Sequence, residues 1–254
     1  MDPVRPMPVS ERAWQSPAPR LTLEDGEIHV WRASLDRPAG AVDSMRRTLS
    51  ADERQRASRF RFERDRERFA VGRGVLRRLC GLYLDLDPGQ IRFSYGPRGK
   101  PSLAPGHRSA RLGFNLAHSG SLALYAFTRG GPIGVDVEHV RPLPDADDLA
   151  ARFFSACERE TYGELPPGQK PLGFYLCWTR KEAFVKALGE GLSLPLDSFD
   201  VSLAPGEPAR LLQVAPDPDE AARWSLYSLE PRPAFVGAVA VRGRNQQLLC
   251  WDCC

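Results

Sequence analysis

Residues 174–192 read FYLCWTRKEAFVKALGEGL. Phe174, Cys177, Trp178, Phe184, Val185 and Leu188 recur at helical spacing as one apolar stripe, so the segment predicts a core-facing helix over 174–188. Gly189 then serves as its C-cap. Glu182 and Lys186, four residues apart, share one border of the stripe; taken alone, such a pair is a surface ion pair worth about 0.3–0.5 kcal/mol. Lys181 falls inside the stripe, where an ammonium must reach solvent along its own methylenes or meet an anion.

Upstream, residues 134–138 read GVDVE, a short hydrophobic strand. Asp136 and Glu138 project from one face of it, with Val135 and Val137 turned the other way, into the core. Two carboxylates on one face repel unless a cation bridges them, although a solvent-facing strand edge explains the pair as well. Three carboxylates and a lysine of this kind suit a hard metal ion and a phosphate, which makes phosphoryl chemistry the first hypothesis.

Working outward, a strand is expected over 28–34, and Ser50 with Glu53 forms a capping box that opens a helix. A longer helix follows over 65–84, with Phe69, Gly72, Val75, Leu76, Leu79 and Leu82 at helical spacing. A Gly/Pro turn at GPRGKP holds Lys100, strands are expected near ARLGFNLAHS and SLALYAFTR, and Arg129-Gly-Gly-Pro132 makes the best break between halves. Ser155 with Glu158 repeats the capping-box pattern, and SFDVSL, RWSLYSL and AFVGAVAV read as strands. The expected division is an N-terminal extension over 1–26, one α/β half over 27–130 and a second over 131–254.

The 42 % hydrophobic content is enough for a sizeable core, no apolar run approaches membrane-spanning length, and the Pro-rich start lacks the apolar stretch of a secretory signal. Cys80 and Cys177 sit in apolar helical patterns and read as core; the CWDCC tail, with no His or Cys cluster to complete a zinc site, reads as chance. Reduced thiols and a cytoplasmic location are expected. Between Arg46 and Arg78, twelve arginines face five acids, either a solvated helix surface or an anion site. A nucleic-acid module is disfavoured, because these arginines are mixed with acids and lack interleaved aromatics.

The ordered strings GKP (99–101), FNLAHS (114–119), GVDVE (134–138), RFFS with Glu158, and WTRKEAFVKALGEGL (178–192) together resemble the surfactin-type 4'-phosphopantetheinyl transferases. The resemblance covers about residues 50 to 203. It implies an α+β monomer of two similar α/β subdomains related by a pseudo-twofold axis, with the active site in the cleft between them. The implied reaction moves the phosphopantetheine arm of coenzyme A onto a serine of an apo acyl or peptidyl carrier protein, with magnesium, and releases 3',5'-ADP; no membrane or nucleic acid takes part. A coenzyme A-binding regulator without activity is the alternative, against which the intact acids and Lys186 argue.

Carried over by position, the resemblance makes Asp136, Glu138 and Glu182 the metal ligands, and Glu182 also the candidate base for the serine. Lys186 would stabilise or protonate the departing phosphate, and His118 would donate to a phosphate. Arg56 would hold the nucleotide 3'-phosphate, while Tyr95, Gly99, Lys100, Pro101, Asn115, Ala117 and His118 would line the coenzyme A site, with Asp136, Lys181 and Lys186 also counted toward it. Two departures are visible: Ala117 replaces a serine common in relatives, and Glu53 stands where some relatives carry a second basic residue, for which Arg54 could compensate. Leu192, Leu194 and Leu196 are candidates for the carrier-docking surface or, equally, for core.

Overall fold

Period-two alternation along the strands sets the layers of this molecule. The computed structural model describes residues 14–17, 21–97, 99–189, 194–217 and 219–253. In β1 (Glu27–Ser34) and β5 (Leu122–Arg129), Trp31, Ala33, Ala123, Tyr125 and Phe127 pack with Val71, Val75 and Leu76 of helix α3 (Glu63–Leu84). The alternate residues Ile28, Val30, Leu122, Leu124 and Ala126 pack instead with Val135 and Val137 of β6 (Ile133–His139) and with Val239 and Val241 of β10 (Phe235–Arg242). The remaining face of β10, with Val236, Ala238 and Ala240, joins Ala183 and Phe184 of helix α6 (Lys170–Leu188) in a third cluster. The layer order is helix, sheet, sheet, helix, a mixed α+β architecture.

The first sheet runs β11 (Gln247–Asp252), β1, β5, β4 (Leu112–Ser119), and the second runs β6, β10, β9 (Trp224–Arg232). Two short hairpins, β2 (Phe93–Tyr95) with β3 (Pro101–Leu103) and β7 (Phe199–Val201) with β8 (Leu211–Val214), complete the strands. Strand β11 corrects the sequence reading twice. It belongs to the first sheet, parallel to β1 with Val30 opposite Cys250 and Trp31 opposite Trp251, rather than to the half over 131–254. The CWDCC stretch is therefore no chance tail: Cys250 and Trp251 are buried strand residues. Gln15 bridges the far side of β11, its N–H bonding to Cys250 O at 3.0 Å and its carbonyl accepting from Asp252 N at 2.8 Å. Residues 1–13 and 18–20 of the expected extension, Leu192 and Cys254 lie outside the described residues.

Helix boundaries follow the local signals. Both capping boxes are present, at Ser50–Glu53 opening α2 (Ala51–Ser58) and at Ser155–Glu158 opening α5 (Ala156–Glu164). Gly189 caps α6 in the left-handed region at φ 77°. The apolar stripe of α3 holds except at Leu82, which is exposed on the same side as Arg78 one turn earlier, while Gly81 and Tyr83 beside it are buried. No described helix is long and apolar enough to cross a membrane.

Each capping-box glutamate does a second job in the core. Glu53 is buried and receives Arg73 Nη2 at 2.7 Å and Arg77 Nε at 2.6 Å, which locks α2 onto α3. Burial alone would raise its pKa, but both guanidiniums and the Ser50 N–H hold it below the usual carboxylate range. Glu158 takes the Lys181 ammonium at 2.8 Å, and the same ammonium donates to Leu196 O at 2.6 Å and Phe199 O at 2.7 Å. The lysine in the apolar stripe thus meets an internal anion, and Leu196 is core. Removing one member of a buried pair leaves the other uncompensated, at a cost of about 3–5 kcal/mol. Lys181→Met is expected to lose about that much in urea denaturation, and Glu158→Gln/Lys181→Met to recover part of the loss; equal losses in the two would show that the pair is not coupled.

A second buried polar group sets a pH limit. Tyr83 Oη accepts from Trp31 Nε1 at 2.7 Å and shares a hydrogen bond with His29 Nδ1 at 2.8 Å. His29 Nε2 stands 3.3 Å from Glu27. Burial keeps the imidazole below its ordinary value of 6.5, against the pull of Glu27. The folded chain therefore binds this proton less readily than the unfolded chain, and the stability it contributes is complete above about pH 6.5 and lost as the pH falls further. The thermal midpoint of the wild type is expected to drop more steeply below that pH than that of His29→Gln; parallel slopes would remove His29 as the cause.

Candidate active site

Gly134 brings the site together. A Cβ built there would stand 2.0 Å from Ala183 O and 2.4 Å from Ala187 N, so only glycine lets the α6 backbone lie directly on β6. That approach sets Lys186, on α6, against Asp136, two residues beyond Gly134 on β6. Lys186 Nζ is 2.5 Å from Asp136 Oδ1, while Asp136 Oδ2 is buried with no hydrogen-bond partner. Burial pushes the Asp136 carboxyl up to about 7 against the Lys186 ammonium, with Glu138 and Glu182 adding to the rise. Glu182 is also raised, by burial first, with Lys186 opposing and Glu138 reinforcing. The three acids thus act electrostatically on one another around a single ammonium.

Strand β4 fastens the first sheet to this centre through side chains. Asn115 Oδ1 accepts from Val135 N at 2.9 Å, and Ser119 Oγ donates to Glu138 Oε2 at 2.7 Å while accepting from His139 N at 3.2 Å. β4 and β6 share no ladder, so these contacts replace backbone pairing between the two sheets. At the far end of α6, Lys100 Nζ donates to the carbonyls of Lys186, Ala187 and Ile133, a cation at a helix C-terminus where the dipole favours it. Burial lowers its pKa to about 8.

A cavity of about 690 Å³ opens beside this centre. Arg56, Tyr95, Gly99, Lys100, Pro101, Asn115, Ala117, His118 and Lys186, nine of the residues singled out in the sequence, line it together. Among the described residues, its walls carry Arg56, Arg68, Arg73, Lys100 and Lys186 against one acid, Asp65, a balance that suits an anion. His118 stands at the open wall, its imidazole kept below the ordinary value by loss of solvent first and by Lys186 second. Lys181 is not part of this cavity: it is wholly buried with Glu158, which corrects its assignment to the coenzyme A site. Among the described residues, no three His, Cys, Asp or Glu side chains stand ready to hold a metal ion; Asp136 is engaged by Lys186 instead.

Two family models match the chain in tandem: 4'-phosphopantetheinyl transferase, N-terminal, over residues 31–129, and 4'-phosphopantetheinyl transferase superfamily over residues 132–240. The chain is 43 % identical to 4'-phosphopantetheinyl transferase HetI of Nostoc sp. over 95 % of its own length and 98 % of that protein's. The chain belongs to the 4'-phosphopantetheinyl transferase superfamily. It is also 34 % identical to 4'-phosphopantetheinyl transferase Sfp of Bacillus subtilis, over 69 % of this chain and 77 % of that one. The human L-aminoadipate-semialdehyde dehydrogenase-phosphopantetheinyl transferase is 27 % identical over 77 % of this chain and 68 % of its own. The protein is an enzyme, a phosphopantetheinyl transferase of the surfactin type.

Within that family frame, two features escaped the sequence reading. Glu53 does not weaken the cationic wall; it positions Arg73, whose Nη2 also donates to Tyr95 Oη at 2.7 Å inside the cavity. Arg54 does not compensate, because its guanidinium turns back to Leu49 O. Arg68, held by Asp36 at 2.7 Å, and the ring pair Phe60–Phe69 complete the wall. The four-residue spacing of Arg68 from Gly72, one face of α3, was the available signal. Gly134→Ala is expected to force α6 off β6, lower the thermal midpoint by several degrees and reduce transfer at least tenfold; a variant with normal rate and melting would show that the backbone contact is dispensable.

Proposed function

We propose that the cavity takes coenzyme A and that the chain transfers its 4'-phosphopantetheine to a serine hydroxyl of an apo acyl or peptidyl carrier protein, releasing 3',5'-ADP. The observation that carries this reading is the Asp136–Lys186 pair at the edge of a cavity lined by four further cations. In this reading the α3 and α6 halves are the two pseudo-symmetric subdomains, the cavity is the active-site cleft between them, and the enzyme is a cytoplasmic monomer.

Asp136, Glu138 and Glu182 suit a magnesium ion in their chemistry, since they offer only oxygen donors and Asp136 Oδ2 is a buried carboxylate oxygen without a partner, although with Lys186 on Asp136 they are not gathered as a ready metal cluster. When bound, the ion supplies neutralisation of the pyrophosphate and of the charge that builds at the attacked phosphorus.

The chain's own residues do the rest. Arg56 holds the nucleotide 3'-phosphate at the exposed end of the cavity, and Arg73 with Tyr95 frames the same wall. His118, whose imidazole is held below its ordinary value by burial, donates one N–H to a phosphate oxygen. Glu182, its carboxyl raised above the ordinary range by burial, accepts the serine proton as the oxygen forms its bond to phosphorus. Lys186 meets the phosphate of 3',5'-ADP as the bridging oxygen–phosphorus bond breaks. With Ala at 117, that position gives the ligand no hydroxyl.

The test is intact-protein mass spectrometry of an apo carrier incubated with the enzyme, coenzyme A and magnesium. The carrier is expected to gain one phosphopantetheine, and chelation with EDTA to abolish the gain. Glu182→Gln is expected to slow transfer by at least about a hundredfold with the fold intact. No gain on any carrier class would overturn the reading, and full activity of Glu182→Gln would remove its role as base.

A further inference from the structure

Asp136 is 4 % exposed, and of its two carboxylate oxygens one contacts the Lys186 ammonium at 2.5 Å while the other has no partner. Glu182, one helical turn before Lys186, and Glu138, on the same strand face as Asp136, both act on that carboxyl. Glu138 itself is steadied by the Ser119 hydroxyl at 2.7 Å. One ammonium therefore serves as the resident counter-cation of an acidic centre. The Lys186 side chain is 31 % exposed and lines the open cavity, whereas the Asp136 side chain is 6 % exposed.

From this we infer that Lys186 occupies the place of the metal ion on Asp136, and that a divalent cation enters only by displacing it into the cavity. The inference rests on the reading of Asp136 as a metal ligand. The physical argument is repulsion: an ammonium in contact with Asp136 Oδ1 and a divalent ion on the same carboxylate would stand within a few ångströms of each other in a largely dry site, where like charges are poorly screened. Displacing the Lys186 side chain leaves the helix end anchored, because the α6 backbone at Lys186 and Ala187 is held independently by Lys100. Once displaced, the ammonium lies on the cavity side, where an anionic ligand would retain it. Metal and anionic ligand then favour one another: the ligand draws off the lysine that blocks the metal, and the metal releases the lysine that grips the ligand.

The experiment is binding of Mn²⁺ to the free enzyme, read by the loss of the hexaaqua-ion electron paramagnetic resonance signal, with no coenzyme A present. Lys186→Gln is expected to bind Mn²⁺ at least tenfold more tightly than the wild type, and Lys186→Arg, which keeps the charge, to bind no more tightly than the wild type. Adding coenzyme A is expected to tighten Mn²⁺ binding in the wild type far more than in Lys186→Gln. Unchanged or weaker binding in Lys186→Gln overturns displacement, and Lys186→Met serves the same comparison if the glutamine variant does not fold. Asp136→Asn separates the two readings. If it leaves Mn²⁺ binding unaltered in the Lys186→Gln background, the metal assignment of Asp136 itself falls; if it abolishes binding while Lys186→Gln matches the wild type, only the displacement falls.

Discussion

The backbone-to-backbone approach of α6 and β6 at Gly134 is the constraint on which this site depends. With no Cβ at that position, a helix can rest on a strand closely enough for Lys186 to reach Asp136. A larger residue would push the helix outward, and the charged side chains would meet across water instead of inside a dry wall. The same closeness keeps Asp136 buried and raises its carboxyl and that of Glu182. A packing decision thus becomes an electrostatic one.

Buried charges carry much of the geometry elsewhere. Glu53 begins as the reciprocal partner of a capping box and ends as the hub of two arginines, one of which reaches the cavity. Glu158 follows the same plan, capping α5 while neutralising Lys181 and accepting from Val201 N at 2.8 Å. Each glutamate joins a helix N-terminus to a second element. Breaking either leaves an unpaired charge in the core, so these links are stiff even where their net contribution to stability is modest. The polar contacts from Asn115 and Ser119 to β6 act likewise between sheets that share no ladder.

Much of the fold was legible because local physics wrote it. The two capping boxes and the Gly189 cap fixed helix ends where they are found, since each depends on residues within one or two turns, while the apolar stripe of residues 174–188 marked α6 but not its start at Lys170. The alternation in GVDVE placed Val135 and Val137 in the core and Asp136 on the opposite face. Lys181 was legible only halfway: an ammonium in an apolar stripe demands an anion, but the sequence does not say whether that anion is a ligand or Glu158, twenty-three residues earlier. Glu53 misled for the same reason, because its effect on the cavity passes through Arg73 on another helix.

By itself, then, the sequence determined the long helices with their caps, the family and nine of the residues from Arg56 to Lys186 that line one cavity, because periodicity, caps and motif order are properties of neighbouring residues. Tertiary structure alone decided that the last strand returns to lie parallel to the first, with Trp251 beside Trp31, since parallel pairing of distant segments leaves no local trace. It alone decided that Lys100 caps α6 and that Lys186 rests on Asp136. Both contacts depend on how closely two elements approach, and that distance is set by the packing of the whole core.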